Sequence, residues 1–255
     1  MRYFPLYLSF FFLFACTAEK VVSDPYAHIK DQKVVATLKK SFNTLGGLEN
    51  WHSKKELHYK KHTVSLLESG EIEFDIRQTH DYFYGETTSI NITSKDSENR
   101  PTKITSVDGN AVKYVDGVVD KTADTNALNN SVLTSLFVIG VPFKILDKGI
   151  DLSHEGLDTL EDGQEVEVIK AVYDADKNVH HTKSDIWWYY FDAKDGRMVG
   201  YFIKHDDHYS YVKNLDYTKV GAFILPTKRG SYRIDKDRKI QYTKAKYEYT
   251  DWKVK

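Results

Sequence analysis

TADTNALNNSVLTSLFVIGVPFKILDKG, residues 122–149, interrupts a chain that otherwise alternates polar and apolar residues with a period of two. In this segment Leu128, Val132, Leu133, Leu136 and Phe137 recur at helical spacing along one side. Thr125 or Asn126 can cap its start. Gly140 and Pro142 are expected to break it before a second short turn over Pro142–Leu146, and Gly149 ends that turn. Beyond Leu133 the segment is apolar nearly all round, so it needs cover on more than one face. A helix of that kind, set among strands, implies a sheet that wraps it.

The flanking sequence supplies such strands. ELHYKKHTVSLL from Glu56, EIEFDIRQTHDYFY from Glu71 and TTSINITS from Thr87 alternate. TKITSV and AVKYV follow, with Asp108-Gly109 and Asp116-Gly117 as hairpin signals. After the helical segment come QEVEVIKAVYD, SDIWWYYFD, MVGYFIKHD, HYSYVKNLDYTKV, AFILPTKRGSYRI and IQYTKAKYEYTDWKV, with Asp195-Gly196 as a tight joint. Eighteen tyrosines and 13 phenylalanines against two methionines favour half-buried pleated surfaces. Before the first strand, Val34, Val35, Leu38, Phe42 and Leu45 form one apolar helical stripe. Asp31 caps that helix, Gly46-Gly47 end it, and Leu48–Ser53 read as a short turn. The expected architecture is mainly β (α+β): one large, curved antiparallel sheet, with an N-terminal helix and a mid-chain helix on its concave face. A single sheet leaves one side uncovered unless the helices fill it.

The first residues give an address. Met1–Ala15 joins a short positive end at Arg2 to an apolar run, shorter than the about 20 residues a membrane-crossing helix needs. It reads as a signal peptide. Leu13-Phe14-Ala15-Cys16 resembles the lipobox of bacterial lipoproteins, with Phe14 bulkier than the residue usual there. The likeness implies cleavage before Cys16 and acylation of its thiol. Cys16 is the only cysteine, so no internal disulfide is available to it. Two or three acyl chains, at about 0.8 kcal/mol per buried methylene, would hold the chain stably at a bilayer. The reading divides the chain into a signal peptide (1–15), a lipidated tether (16–28) and a single domain (29–255). Thr17 stands where some lipoproteins carry a retention aspartate, which points to the outer membrane, with the chain facing the periplasm or the cell surface.

Composition narrows the function. The chain is 41% hydrophobic and 29% charged, with a net charge of −1, so no broad attraction to nucleic acid is expected. No nucleophile elbow, zinc-protease helix or phosphate loop is present, and neither an enzyme nor a cofactor is expected. The strongest candidate for metal or hydrolytic chemistry is HDDH (His205, Asp206, Asp207, His208), whose flanks make it a polar hairpin tip. His180-His181 and Ser153–Glu155 are weaker, and no metal site is expected. In DIWWYYFD, Trp187, Tyr189 and Phe191 share one face, and Ile186, Trp188 and Tyr190 share the other. Which face points inward is open. One set packs as core or lines an apolar cavity beneath the helix. The cavity candidates are Leu133, Leu136, Phe137, Phe143, Trp187, Tyr189 and Phe191.

This pattern resembles the LolA-like superfamily of half-barrel periplasmic lipoprotein carriers and lipid-binding relatives. It is closer still to a family of uncharacterised bacterial lipoproteins with that presumed fold. LGGLENW (Leu45–Trp51), VPFKILDKG (Val141–Gly149) and VGAFILPTKRGSY (Val220–Tyr232) carry the closer likeness, with Lys148 in place of that family's usual proline. The resemblance implies a half-barrel binding a lipid, acyl chain or lipoprotein under a helical lid. Anchoring at Cys16 favours a membrane-tethered receptor or lipid-handling role over a diffusing carrier, and a monomer is expected. An envelope interaction or scaffold lipoprotein without a cavity is the alternative, and a hydrolase at His205–His208 the third reading.

Overall fold

The computed structural model describes residues 24–147, 149–174, 176 and 185–255. Cys16, the signal segment, most of the tether, Lys148 and His180-His181 lie outside them. Thirteen antiparallel strands form one curved, open sheet. An N-terminal meander comprises β1 (Glu56–Leu66), β2 (Ile72–Phe83), β3 (Ser89–Lys95), β4 (Pro101–Val107), β5 (Asn110–Val115) and β6 (Val118–Val119). A C-terminal meander comprises β7 (Ile150–Thr159), β8 (Glu165–Tyr173), β9 (Ile186–Asp192), β10 (Met198–Lys204), β11 (Tyr209–Val220), β12 (Phe223–Ile234) and β13 (Ile240–Val254). The first and last strands join them, from Leu57 opposite Val254 to Ser65 opposite Ala245. Each meander is local and legible from its turns. At Asp108-Gly109 and Asp116-Gly117 both residues have positive φ, the twist a two-residue hairpin requires.

Helix α1 (Gln32–Leu45) lies against β7 and β12, as its stripe requires. The Asp31 carboxylate accepts from Lys33 N and, across the fold, from the backbone N–H of His154 on edge strand β7, each at 2.9 Å. The His154 N–H above all holds the Asp31 pKa below the usual carboxylate value. Gly46 ends the helix at φ 111°, and a β-carbon there would stand 2.5 Å from the Ala222 carbonyl oxygen. We expect Gly46→Ala to cost at least about 1–2 kcal/mol from the left-handed backbone alone, read as a lowered denaturant midpoint.

The structure corrects several boundaries. Leu48–Ser53 is a short helix, α2, whose Trp51 stacks on Phe143 with centroids 4.6 Å apart. Helix α3 runs unbroken from Thr125 to Lys144, capped by Asp124 rather than Thr125 or Asn126. Gly140 lies inside the helix and does not end it; a β-carbon there would meet Lys144 Cγ at 3.2 Å and the Trp51 ring at 3.5 Å. Pro142 cannot donate to the Val138 carbonyl, and Arg229 of β12 donates there instead at 3.0 Å. Strand β7, which the alternation of apolar residues does not mark, keeps an alternating exposure but has only Ile150, Leu152 and Leu157 as large apolar residues, with a bulge against β8 between His154 and Gly156.

Two apolar clusters result. The larger fills the concave side between helices and sheet, with Val34, Leu38, Phe42, Val132, Phe137, Phe143, Tyr59, Tyr82, Tyr189 and Tyr201 among its members. The smaller lies on the outer face of β8–β12 around Val168, Tyr190, Val199, Phe202 and Ile234. The aromatic strand β9 is therefore used on both sides, Trp187, Tyr189 and Phe191 inward and Trp188 and Tyr190 outward.

Candidate functional site

Helix α3 lies within the hollow and divides it. It is sewn to the sheet at three places: Ala111 N donates to Asn129 Oδ1 (2.9 Å), Tyr82 Oη to Ser135 Oγ (3.1 Å) and Arg229 Nη1 to the Val138 carbonyl. On one side of it, α2 and the start of the meander enclose a cleft of about 530 Å³. Trp51, Tyr84, Ile90, Leu133, Leu136 and Phe143 line that cleft, and Lys54, Lys144 and Asp147 stand among its polar groups. On the other side, β9–β12 enclose a second cleft of about 510 Å³, lined by Leu133, Phe137, Trp187, Tyr201, Ile203 and Val212. Leu133 borders both.

Five of the seven cavity candidates thus meet at these clefts: Leu133 at both, Leu136 and Phe143 at the first, Phe137 and Trp187 at the second. Tyr189 and Phe191 line neither cleft. They are fully buried deeper in the inner cluster, where the Tyr189 hydroxyl pairs with that of Tyr173. Sequence reading missed Lys54, Tyr84, Tyr201 and Ile203. The last two carry the same inward alternation as Trp187 and were open to the same inference.

The inner face also holds cations and phenols. Burial pushes the Tyr82 hydroxyl up to about 12 and the Tyr59 hydroxyl well above its ordinary value. The Lys61 ammonium is drawn down to about 8 by burial first and by the Arg229 charge second. Arg229 is only 3% exposed. Its Nε donates to Asn214 Oδ1 at 2.8 Å, and its guanidinium lies 5.4 Å from the Tyr249 ring centroid.

The HDDH tip is a hairpin turn in which His205 N donates to the His208 carbonyl at 2.9 Å. The two imidazoles stack at 4.4 Å, His205 Nδ1 meets Asp185 at 3.0 Å, and the Asp207 side chain is 84% exposed. Only His205 of the four borders a cleft. Among the described residues no group of three or more His, Cys, Asp or Glu side chains is arranged to hold a metal. No described helix is long and apolar enough to cross a membrane.

A third cavity, about 430 Å³, lies on the outer face over Tyr190, Phe202, Tyr211 and Tyr232. The β7–β8 and β12–β13 hairpin tips wall it and are tied across by Arg238–Asp158 (2.9 Å), while Lys213 of β11 pairs with Asp162.

The architecture can be compared with solved structures. A LolA superfamily protein from Nitrosomonas europaea superimposes with a TM-score of 0.53 at 9% identity, over 87% of this chain and 93% of that one. The fold is LolA-like. A DUF1329 family protein from Desulfovibrio piger matches this LolA-like sheet with a TM-score of 0.55 at 8% identity, covering 86% of this chain and 92% of its own. A putative outer membrane lipoprotein-sorting protein domain from Vibrio parahaemolyticus matches at 0.50 and 6% identity, over 88% and 91% of the two chains. No family model and no curated protein matches the sequence. At such identities the likeness is one of fold, and the LolA-like half-barrel must be read for function from its own side chains.

Proposed function

We propose that this chain is a lipoprotein, anchored to the outer membrane through acylated Cys16, that holds a lipid, an acyl chain or a lipoprotein's acyl chains in the hollow around α3. One observation carries the reading: Leu133 borders two apolar clefts, so α3 is a partition within a single hollow. Each cleft alone falls within the about 300–1,000 Å³ of ordinary ligand pockets. A shift of α3 would join them into a groove long enough for an alkyl chain. Two fold neighbours, a LolA superfamily protein and an outer membrane lipoprotein-sorting protein domain, lend support.

Native mass spectrometry after gentle purification tests this. Wild-type protein should carry bound lipid, and Leu133→Trp, which fills both clefts from their shared wall, should carry markedly less. Wild-type protein that is ligand-free in repeated preparations, with Leu133→Trp indistinguishable from it, would refute the reading. Cys16→Ser should abolish incorporation of labelled fatty acid, and persistent labelling would move the anchor elsewhere. The outer aromatic cavity favours a second reading, an envelope interaction protein that uses its convex face. In that case Leu133→Trp leaves function intact, and substitution of Tyr232 does not.

A further inference from the structure

The cleft between α2, α3 and the N-terminal meander is not uniformly greasy: basic groups gather on one part of its lining. Lys54 follows α2 directly. Its ammonium lies 3.8 Å from the Trp51 ring centroid and 4.2 Å from that of Tyr84, and donates to the Trp51 carbonyl at 2.8 Å. Among the described residues no carboxylate forms an ion pair with it. Lys144, in the last turn of α3, and His52 of α2 line the same cleft. The acids present are engaged: Asp147 pairs with Lys144 at 2.9 Å, and Asp108 accepts from Thr88 N at 3.0 Å. Burial first, and Lys144 second, draw the Lys54 ammonium down to about 8. A partly buried cation repelled by its neighbour, with no counter-charge, gains from an anion placed beside it. Leu133, Leu136, Ile90, Val132 and Phe143 give the lining its apolar surface, and Thr88 and Ser106 add hydroxyl groups to it.

We propose that this cleft takes an amphiphile with an anionic head, a carboxylate or phosphate, set on Lys54 and Lys144, its alkyl chain running along Leu133, Leu136 and Phe143. The inference rests on the lipid-binding reading above and narrows its ligand class. The two aromatic rings fix the Lys54 ammonium at the cleft, so little side-chain freedom is lost when the anion arrives.

Titration calorimetry on purified, delipidated protein tests it with laurate, methyl laurate and inorganic phosphate as probes. Laurate should bind about tenfold tighter than its neutral ester or more, the range of a charge-assisted hydrogen bond. Phosphate alone should bind far more weakly than laurate. Lys54→Met keeps an aliphatic cover on Trp51 and should bring laurate affinity most of the way down to that of the ester, the residual preference resting on Lys144, while leaving ester binding unchanged. Lys54→Arg should restore the preference, and Lys144→Met should reduce it independently. Equal binding of laurate and methyl laurate by the wild type overturns the head-group assignment while leaving an apolar cavity in place. So does an equal loss of both probes in Lys54→Met, which would make Lys54 a prop for Trp51 and Tyr84. Phosphate binding as tight as laurate would make this a free-anion site. Failure of both laurate and its ester to bind overturns the lipid-binding reading as well.

Discussion

Arg229→Met is expected to loosen α3 before it loosens the sheet. The reason begins with Pro142, which lacks the N–H that would otherwise meet the Val138 carbonyl. Arg229 supplies a donor at 3.0 Å, while its Nε holds Asn214, whose amide in turn donates to the Met198 carbonyl at 2.8 Å. Methionine fills similar space and donates nothing. It leaves a helical carbonyl and a buried amide oxygen unpaired, where a hydrogen bond from a charged donor contributes about 1.5–3 kcal/mol. Exchange of amides over residues 133–141 should accelerate about tenfold to a hundredfold on the scale of 1.4 kcal/mol per decade. Global stability should fall by less, because methionine also removes a cation whose burial costs several kcal/mol without a carboxylate partner. Arg229→Lys keeps that cost but has no fork to serve Asn214 and Val138 together, so α3 should loosen as much and the whole fold suffer more. If α3 moves to admit ligand, laurate uptake should quicken in Arg229→Met. Unchanged protection of α3, with loosened β12 instead, would make Arg229 a sheet prop and leave the helix held by Ser135 and Asn129.

That example shows where the sequence is readable. Turns, caps and alternation are local, so the meanders, α1 and the helix-on-sheet architecture follow from residues near one another: Asp108-Gly109, Asp31, the stripe from Val34 to Leu45. Pro142 is different. Local rules end a helix there, and the residue that lets it continue stands 87 positions away on β12, because residue 229 minus residue 142 is 87. Strand β7 went unread for a local reason of the opposite kind: its exposure alternates, but Ile150, Leu152 and Leu157 are too few apolar residues to mark it. The β1–β13 pairing that makes one sheet of two meanders leaves no local mark at all. Within the site, the apolar face of α3 was visible, and its four candidates, Leu133, Leu136, Phe137 and Phe143, line clefts together with Trp187 of β9. Tyr189 and Phe191 were misplaced because alternation gives a face but not a depth. Lys54 was invisible, since a lysine after a short helix reads as solvated until Trp51 and Tyr84 are seen around it.

Acid should unfold this protein by way of a group the sequence marks only as one histidine among ten. His80, on β2, is 2% exposed. Its ring stacks on Tyr59 at 4.7 Å, and its Nδ1 lies 3.1 Å from the Tyr82 hydroxyl. Nε2 has no hydrogen-bond partner among the described residues. Burial first, and the Lys61 ammonium second, draw its pKa from 6.5 down to about 3. Above pH ~6.5 both folded and unfolded chains hold it neutral and it imposes no pH dependence. Below that value the unfolded chain takes up a proton that the folded chain refuses, so stability falls as pH falls, by about 1.4 kcal/mol per pH unit, until the folded value is reached. His80→Phe keeps an aromatic ring on Tyr59 and cannot titrate. At neutral pH it should be less stable by about 0.5–1.5 kcal/mol, for the lost bond to Tyr82. Between pH ~6 and ~4 its unfolding free energy should decline with one proton less in the slope, so the two curves converge and cross. Asp31, with its lowered pKa, and Asp120, at about 2, titrate in both proteins and cancel from the difference. Urea titrations across that range give the slopes directly. Parallel curves would mean that folded His80 accepts its proton, which requires an acceptor for Nε2–H or water beneath α3. Because Tyr82 joins His80 to Ser135 of α3, a wild type that does lose stability in this way should lose the cover over its hollow early in the acid transition.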